Sequence, residues 1–539
     1  MLSKLFFLLI TPLLLWGVTL KEINSYPKSN AKNFYIWQFL QQSNTSEKEA
    51  TQAFYQIRDV NNKLFLAYAK KSSDKTIIYT AECMRYNDKK RETSKDLDCV
   101  KVSLSHYKAS KLSKKRLKDL RNYYHDDKDF EYLSMLLDSK LAQNIESYPA
   151  QMFLDLFNNA GGVYRLKLNV SLSQEYLYKL SKANGFNTMV RKVTTNNKLN
   201  KLQKSLLKFK KNIICNDQTS LFLALNFLRF DKKEMSLYYL NQAFKKAYYR
   251  STKDRALFWI YQTLKDKDTL EQLASSWDIN IYSLYAKEAL KQEVTNFYSD
   301  LETSKAKSFL NLQDPFEWNR LVREVKRTPK KGMYNLAKFY NASNLLPIQS
   351  FIVERASSYK RQGFIMPYNC FMKEISSDKK ALMYSLMRQE SRFIPSALSH
   401  SFAMGTMQIM PFLVKALNKT ADEKINDLTD MFNPKYNIAF ASEHLKFLHK
   451  SLYHPLFVAY AYNGGIGFTK RHLLDGTFLK GKYEPFMSME MMANTESREY
   501  GKKVLANYVM YKMILGEKVS IHHLFDTLTQ PDETDRFRG

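Results

Sequence analysis

From about residue 30 to 365 the chain is written as one short amphipathic segment after another, joined by brief polar stretches, with no dominant alternation of apolar and polar residues. A helix built this way carries an apolar stripe that a neighbour must cover, and a series of such helices stacks in pairs as an α-solenoid. The segments 255–261 and 281–290 place apolar or aromatic groups three and four residues apart, which predicts one buried stripe for each. No strict repeat period is present, so the predicted solenoid is irregular. With only 15 Gly and 13 Pro in 539 residues, an all-β or loop-rich fold is disfavoured, and the expected class is mainly α. Within 62–102, the runs Phe65 to Tyr68 and Thr76 to Thr80 can be read as short strands. The helical periodicity lapses at Gly363 and Pro367, which places a boundary there. The expected map is a leader at 1–19, a helical superhelix at 20–365 and a second, mostly helical domain at 366–539.

The leader reading rests on the apolar run Leu5 to Trp16 after Lys4, with Gly17 and Thr19 before Lys21. Apolar character ends at Leu20 and the run contains Pro12, so it reads as a cleavable secretory signal rather than a membrane anchor. Export predicts an oxidising, periplasmic setting, where Cys83 and Cys99 enclose a polar stretch of suitable length for a local disulfide. Cys215 and Cys370 read as ordinary buried thiols, and the spacing of the four suggests neither a zinc site nor any other metal centre. The net charge of +30 would suggest nucleic acid in a cytoplasmic protein. Here the lysines are spread along the chain, as on solvated helix faces, and the expectation is no nucleic-acid partner, with a salt-sensitive attraction to anionic envelope surfaces as a secondary reading.

Three clusters carry the chemistry. Glu390 lies in Met387-Arg388-Gln389-Glu390-Ser391-Arg392-Phe393, Gln408 follows eighteen positions later in Gly405-Thr406-Met407-Gln408-Ile409-Met410-Pro411, and Ala461-Tyr462-Asn463-Gly464-Gly465 comes third. In this order and spacing they resemble the lysozyme-like catalytic domain of soluble lytic transglycosylases, bacterial enzymes that cut peptidoglycan glycan strands. The helical pairs before them resemble the superhelical segment of the same family. The resemblance extends to Glu496-Ser497-Arg498-Glu499-Tyr500, which is similar to the closing acidic motif. This chain departs from the pattern in that motif at Met492-Ala493, Ser497 and Gly501, where the family usually has Ile-Pro, Thr and Val. It departs again at Phe402 and Thr406, which replace a Gly and a Leu before the Gln.

After the cluster Ser376-Ser377-Asp378 a helix is predicted to about Ser391, with Leu382, Leu386 and Glu390 four apart on one face. A carboxyl on such a stripe is costly when ionised, so its pKa should rise and it can hold a proton near neutrality, as a general acid for glycoside cleavage needs. The alternative is a helix-end Glu satisfied by Arg388 or Arg392. Gly405 lets backbone approach a ligand, Gln408 offers an amide donor and acceptor to sugar substituents, and Met407 and Met410 add adaptable apolar surface. A second amphipathic helix after Asn433-Pro434, with Ile438, Ala441, Leu445 and Leu448 inward, leads through Pro455 to Tyr460 and delivers Tyr462 and Asn463. Gly464 to Gly467 lacks the Lys-Ser/Thr of a phosphate loop and reads as a turn.

By resemblance, Tyr462 hydrogen-bonds the catalytic carboxyl of Glu390, and Ser391, Ser399, Gln408, Met410, Asn463 and Glu496 join it in binding the glycan strand. The implied reaction needs no cofactor. One Glu protonates the bridging oxygen and then deprotonates the muramyl 6-hydroxyl, giving a 1,6-anhydro sugar, whereas ordinary glycosidases need two carboxylates. The alternatives are a hydrolase of the goose-type lysozyme or chitinase kind, and a helical scaffold that holds peptidoglycan without cutting it.

Overall fold

The structure is a computed structural model that describes residues 17–125, 130–211, 213 and 215–539. The expected leader lies outside the described residues save for its last three, of which Thr19 closes a capping box with Glu22 at the start of the helix Leu20–Ser25. Helices dominate, as expected. Among the described residues the named strands are one parallel pair of two residues each, Phe297–Tyr298 with Gln362–Gly363, in register Phe297 to Gln362 and Tyr298 to Gly363. No helix of the described residues is long and apolar enough to cross a membrane.

Two compact units emerge, one of 1–103 with the segment Leu398–Phe402 and one of 104–397 with 403–539. The boundary expected near 366 thus falls inside the second unit. In the first unit, the runs read as strands are helices, Asn62–Ala69 and Lys75–Met84. The physical reason lies just upstream: Asn61 and Asp74 accept hydrogen bonds from first-turn backbone N–H groups, which local β-branched content could not outweigh. Cys83 and Cys99 form a disulfide between Lys75–Met84 and Leu97–Ser103. Phe402 is fully buried against Phe34 and Trp37 at ring distances of 5.6 and 5.5 Å. Its φ of +67° lies in the left-handed region, so this position, a Gly in the resembling family, holds a strained Phe fixed by aromatic packing.

In the second unit each helix from Asp217 to Ala289 packs on the next: Asp217–Arg229, Lys233–Lys246, Arg250–Leu264, Lys267–Ala274 and Ile281–Ala289. The single stripe expected for Arg250–Leu264 is corrected by its burial on nearly all sides, Asp254, Arg255 and Gln262 included, because neighbours cover it from both flanks. The C-terminal part comprises Ser377–Ser391, Pro411–Leu417, Pro434–His449, Pro455–Gly464, Ile466–Leu474, Phe486–Met491 and Thr495–Ile514. The long helix Thr495–Ile514, which Ile521–Thr527 and Pro531–Thr534 follow, packs against Ser377–Ser391 and Pro455–Gly464. Gly501 is what permits the second contact, since a Cβ there would lie 2.2 Å from the Tyr460 ring, so the usual Val could not be accommodated. Cys215 is buried, but Cys370 is exposed, because it falls in a short 3-10 turn before the Glu390 helix rather than on an inward stripe.

Candidate active site

Glu390 sits in the last turn of Ser377–Ser391, whose N-cap is Ser376 although its hydroxyl makes no capping bond. Leu386 and Leu382, one and two turns earlier, are buried, so the stripe carries Glu390 to the edge of the core as expected. The helix stops because Arg392 and Phe393 adopt φ of +54° and +68°. The half-buried carboxyl has its pKa pushed up to about 7, first by loss of water and further by the nearby charge of Glu496, against the hydrogen bond it accepts from Tyr500. Neither arginine satisfies it. Arg388 is buried and donates to Glu354, Gln362, Asn507 and the Gly363 carbonyl, while Arg392 pairs with Glu354 at 3.3 Å.

The phenol on Glu390 comes from Tyr500, whose hydroxyl donates to Oε1 at 2.7 Å. Tyr462, expected in that role, donates instead to the Met407 carbonyl at 2.8 Å. It stays close enough for the Glu390 charge to add to the burial that raises its own pKa. The two phenols therefore divide the work: Tyr500 holds the acid, and Tyr462 ties the helix Pro455–Gly464 to the loop that carries Gln408. The His444 ring lies 5.5 Å from that of Tyr462.

That loop is held by backbone geometry. Gly405 has φ of +80°, and a Cβ there would lie 2.4 Å from the Met431 carbonyl oxygen. Asn437 accepts from the Thr406 hydroxyl at 3.0 Å and the Met407 N–H at 2.7 Å and donates to the carbonyls of Met404 and Met431. Thr406 thus gains a use for its hydroxyl where the family has Leu. Ser391 Oγ donates to the Thr406 carbonyl at 2.7 Å, joining the Glu390 helix to the same turn. Gln408 itself has φ of +49°, and its amide NH2 donates to the Ala397 and Gly405 carbonyls, both at 2.9 Å. Its donors are spent on the loop, which leaves its carbonyl oxygen as the group for a ligand. Met410 is the N-cap of Pro411–Leu417 and is partly exposed.

Asn463 Nδ2 donates to Glu496 Oε1 at 3.2 Å, and its Oδ1 accepts from Ser497 at 2.7 Å. Glu496, exposed in the first turn of Thr495–Ile514, is one turn from Tyr500. Gly465, with φ of +86°, closes the helix ending at Gly464 and opens Ile466–Leu474, the turn that was expected. The structure brings Glu390, Ser391, Gln408, Met410, Tyr462, Asn463 and Glu496 into one unit. Ser399 belongs to the segment Leu398–Phe402 of the first unit, where its carbonyl accepts from Asn30 Nδ2 at 2.8 Å. Two residues went unnoticed as site members. Tyr500 was signalled by its position four after Glu496, and Asn437 by being the one amide on an otherwise apolar inward stripe.

A helix-end carboxyl whose pKa burial raises, backed by phenols and a glycine-dependent loop, makes a site that can give and take a proton near neutrality. Residues 369–482 match the family described as Transglycosylase SLT domain, which bears out the expected resemblance in the segment that carries Glu390, Gln408 and Tyr462. Among curated relatives, the soluble lytic murein transglycosylase of Escherichia coli (strain K12) is 27% identical over 213 residues, 38% of this chain. That of Salmonella typhimurium is 25% identical over 215 residues. The matched stretch spans 32% of the length of each relative. Among solved structures, the inactive mutant of the lytic transglycosylase Slt from Pseudomonas aeruginosa aligns over 93% of this chain and 84% of its own at 14% identity and a TM-score of 0.47. The 70 kDa soluble lytic transglycosylase of Escherichia coli aligns over 96% and 85% at 16% identity and a TM-score of 0.41. Glu490, Glu496 and Tyr500 lie beyond the end of the family match.

Proposed function

We propose that this protein is a peptidoglycan lytic transglycosylase that cuts the β-1,4 bond between N-acetylmuramic acid and N-acetylglucosamine and closes a 1,6-anhydro ring on the muramyl residue, in cell-wall turnover. The observation that carries this reading is the carboxyl of Glu390, whose pKa near 7 makes both of its protonation states accessible at neutral pH. An acid that must first give a proton and then take one back needs that poise. Glu390 protonates the bridging oxygen as the bond from C1 breaks; the 6-hydroxyl of the same muramyl residue then attacks C1, and its proton goes to the Glu390 carboxylate. The acid is regenerated and no water is consumed. The acetamido group of the muramyl sugar stabilises the electron-poor C1, in place of a second carboxylate. Glu496, the nearest other acid in the site, is exposed and bonded to Asn463, which suits a groove contact better than a nucleophile.

Gln408, Met410, Tyr462, Asn463 and Glu496 are assigned to the glycan groove, Ser391 to fixing the Gln408 loop, and Ser399 to a contact with the strand. Residues 20–365 are assigned to the helical superhelix and 366–539 to the catalytic domain. The same reading places the protein in the periplasm after removal of residues 1–19, with peptidoglycan strands as its partner. The test is the release of soluble fragments from purified sacculi by the protein and by its Glu390→Gln variant. The variant should bind sacculi normally and release fragments at least about 100-fold more slowly, since an amide of similar volume transfers no proton. Undiminished release would exclude Glu390 as the acid.

A further inference from the structure

Arg255 lies far ahead of the active-site motifs in sequence, on Arg250–Leu264, yet its guanidinium is buried among the carboxylates of the C-terminal helices. Its Nε donates to Glu490 Oε1 at 3.0 Å, a second nitrogen donates to Glu490 Oε2, and the third donates to Glu499 at 3.1 Å. Glu490 also accepts from Tyr282 at 2.7 Å and Lys502 at 2.7 Å, and Glu499 accepts from Arg498 at 2.9 Å. Burial pushes the Glu490 carboxyl up, but Arg255 and Lys502 outweigh it and hold it well below the usual range. Of the two cations, Lys502 is itself pulled down to about 8 by burial and by Arg255, so the permanently charged guanidinium is the partner that keeps Glu490 ionised.

Glu499, Tyr500 and Lys502 occupy one turn of Thr495–Ile514, so whatever fixes Glu499 and Lys502 fixes the rotation of that helix and the aim of Tyr500. A rotation of about 20° carries a side-chain tip about 6 Å from the axis through about 2 Å, enough to break the bond to Glu390. The opposing helix is anchored in the same manner, Arg388 binding Glu354 and Asn507 two residues before Glu390. We propose that Arg255 is a positioning residue for the Glu390–Tyr500 pair: by gathering Glu490 and Glu499 it sets the register of the Tyr500 helix, and so couples a helix of the 20–365 region to the acid. The inference rests on the reading of Glu390 as the acid only for its kinetic consequence.

The groups facing Glu390 are Tyr500 and Glu496 from one helix and Tyr462 from another, while Arg388 and Arg392 are committed to Glu354. The Tyr500 bond favours the ionised acid, so losing it should move the Glu390 midpoint upward. The experiment titrates the Glu390 carboxyl by isotope-edited infrared difference spectroscopy against the Glu390→Gln variant, in the full chain and in Tyr500→Phe, Arg255→Met and the combination. Arg255→Met should raise the midpoint as Tyr500→Phe does, and the combination should raise it no further. In parallel kcat should fall about 10- to 100-fold with KM little changed. An unmoved midpoint, or shifts that add, overturns the proposal. Should Arg255→Met not fold, Arg255→Lys keeps a buried cation while losing the fork that gathers both carboxylates, and the same midpoint test applies. If Glu390→Gln keeps turnover, the catalytic reading fails while the infrared midpoint still reports on Arg255.

Discussion

Replacing Glu390 by Gln should make the protein more stable at alkaline pH while removing its activity. Folding takes this carboxyl from an ordinary 4.5 to about 7, so the folded chain holds the proton more tightly than the unfolded one. The sign follows. Below pH 4.5 both states carry the proton and the site costs nothing; between pH 4.5 and 7 the unfolded chain has released it while the folded one still holds it, so stability falls across that window and levels off above pH 7. At about 1.4 kcal/mol per pH unit the full loss is about 3 kcal/mol. Gln keeps the shape, can accept from Tyr500 and never ionises. The two proteins should therefore match at about pH 3.5 and differ by about 3 kcal/mol at pH 8.5 in favour of the variant. Urea denaturation followed by fluorescence of Trp259, buried in the same unit as Glu390, measures the difference at each pH. A variant that gains nothing at pH 8.5 would refute the claim that burial raises this acid.

Tyr500→Phe removes the bond that favours the ionised acid, so the acid-dependent limb of turnover should move to higher pH with a loss of rate, read from a pH profile of fragment release. Gly405→Ala forces a Cβ against the Met431 carbonyl at a φ of +80°, and should cost about 3 kcal/mol in denaturation midpoint and displace Gln408. Reducing Cys83–Cys99, which are 16 positions apart, should lower the stability of the first unit by about 3 kcal/mol, seen as a shift in urea midpoint with dithiothreitol, without altering the Glu390 titration.

Where a few local residues decide the geometry, the sequence was readable. Glu390 at four-residue spacing from Leu382 and Leu386 announced both its helix and its half-buried state. Ile438, Ala441, Leu445 and Leu448 announced the helix behind the loop. What failed depended on partners distant in the chain. Arg388 was weighed only as an alternative partner for Glu390, because nothing near it in sequence marks Glu354, 34 positions earlier, as its buried partner. Tyr500 took the role expected of Tyr462 because a phenol donates to whichever acceptor tertiary packing brings within 3 Å, and for Tyr462 that acceptor is the Met407 carbonyl. Glu490 is the centre of a buried ionic cluster that no local pattern marks, since its cation Arg255 is 235 positions away. The departures Phe402, Thr406 and Gly501 become intelligible only with Phe34, Asn437 and Tyr460 in place. The helices at Asn62–Ala69 and Lys75–Met84 show the opposite error, in which β-branched and aromatic runs outweighed the Asn61 and Asp74 caps that were visible beside them.

The most direct test of the central claim is the mass of the glycan ends released from purified peptidoglycan. Intramolecular attack predicts muramyl termini one water lighter than their reducing counterparts and resistant to borohydride. Fragments with free, borohydride-reducible ends would show that water, and not the sugar's own 6-hydroxyl, completes the reaction at Glu390.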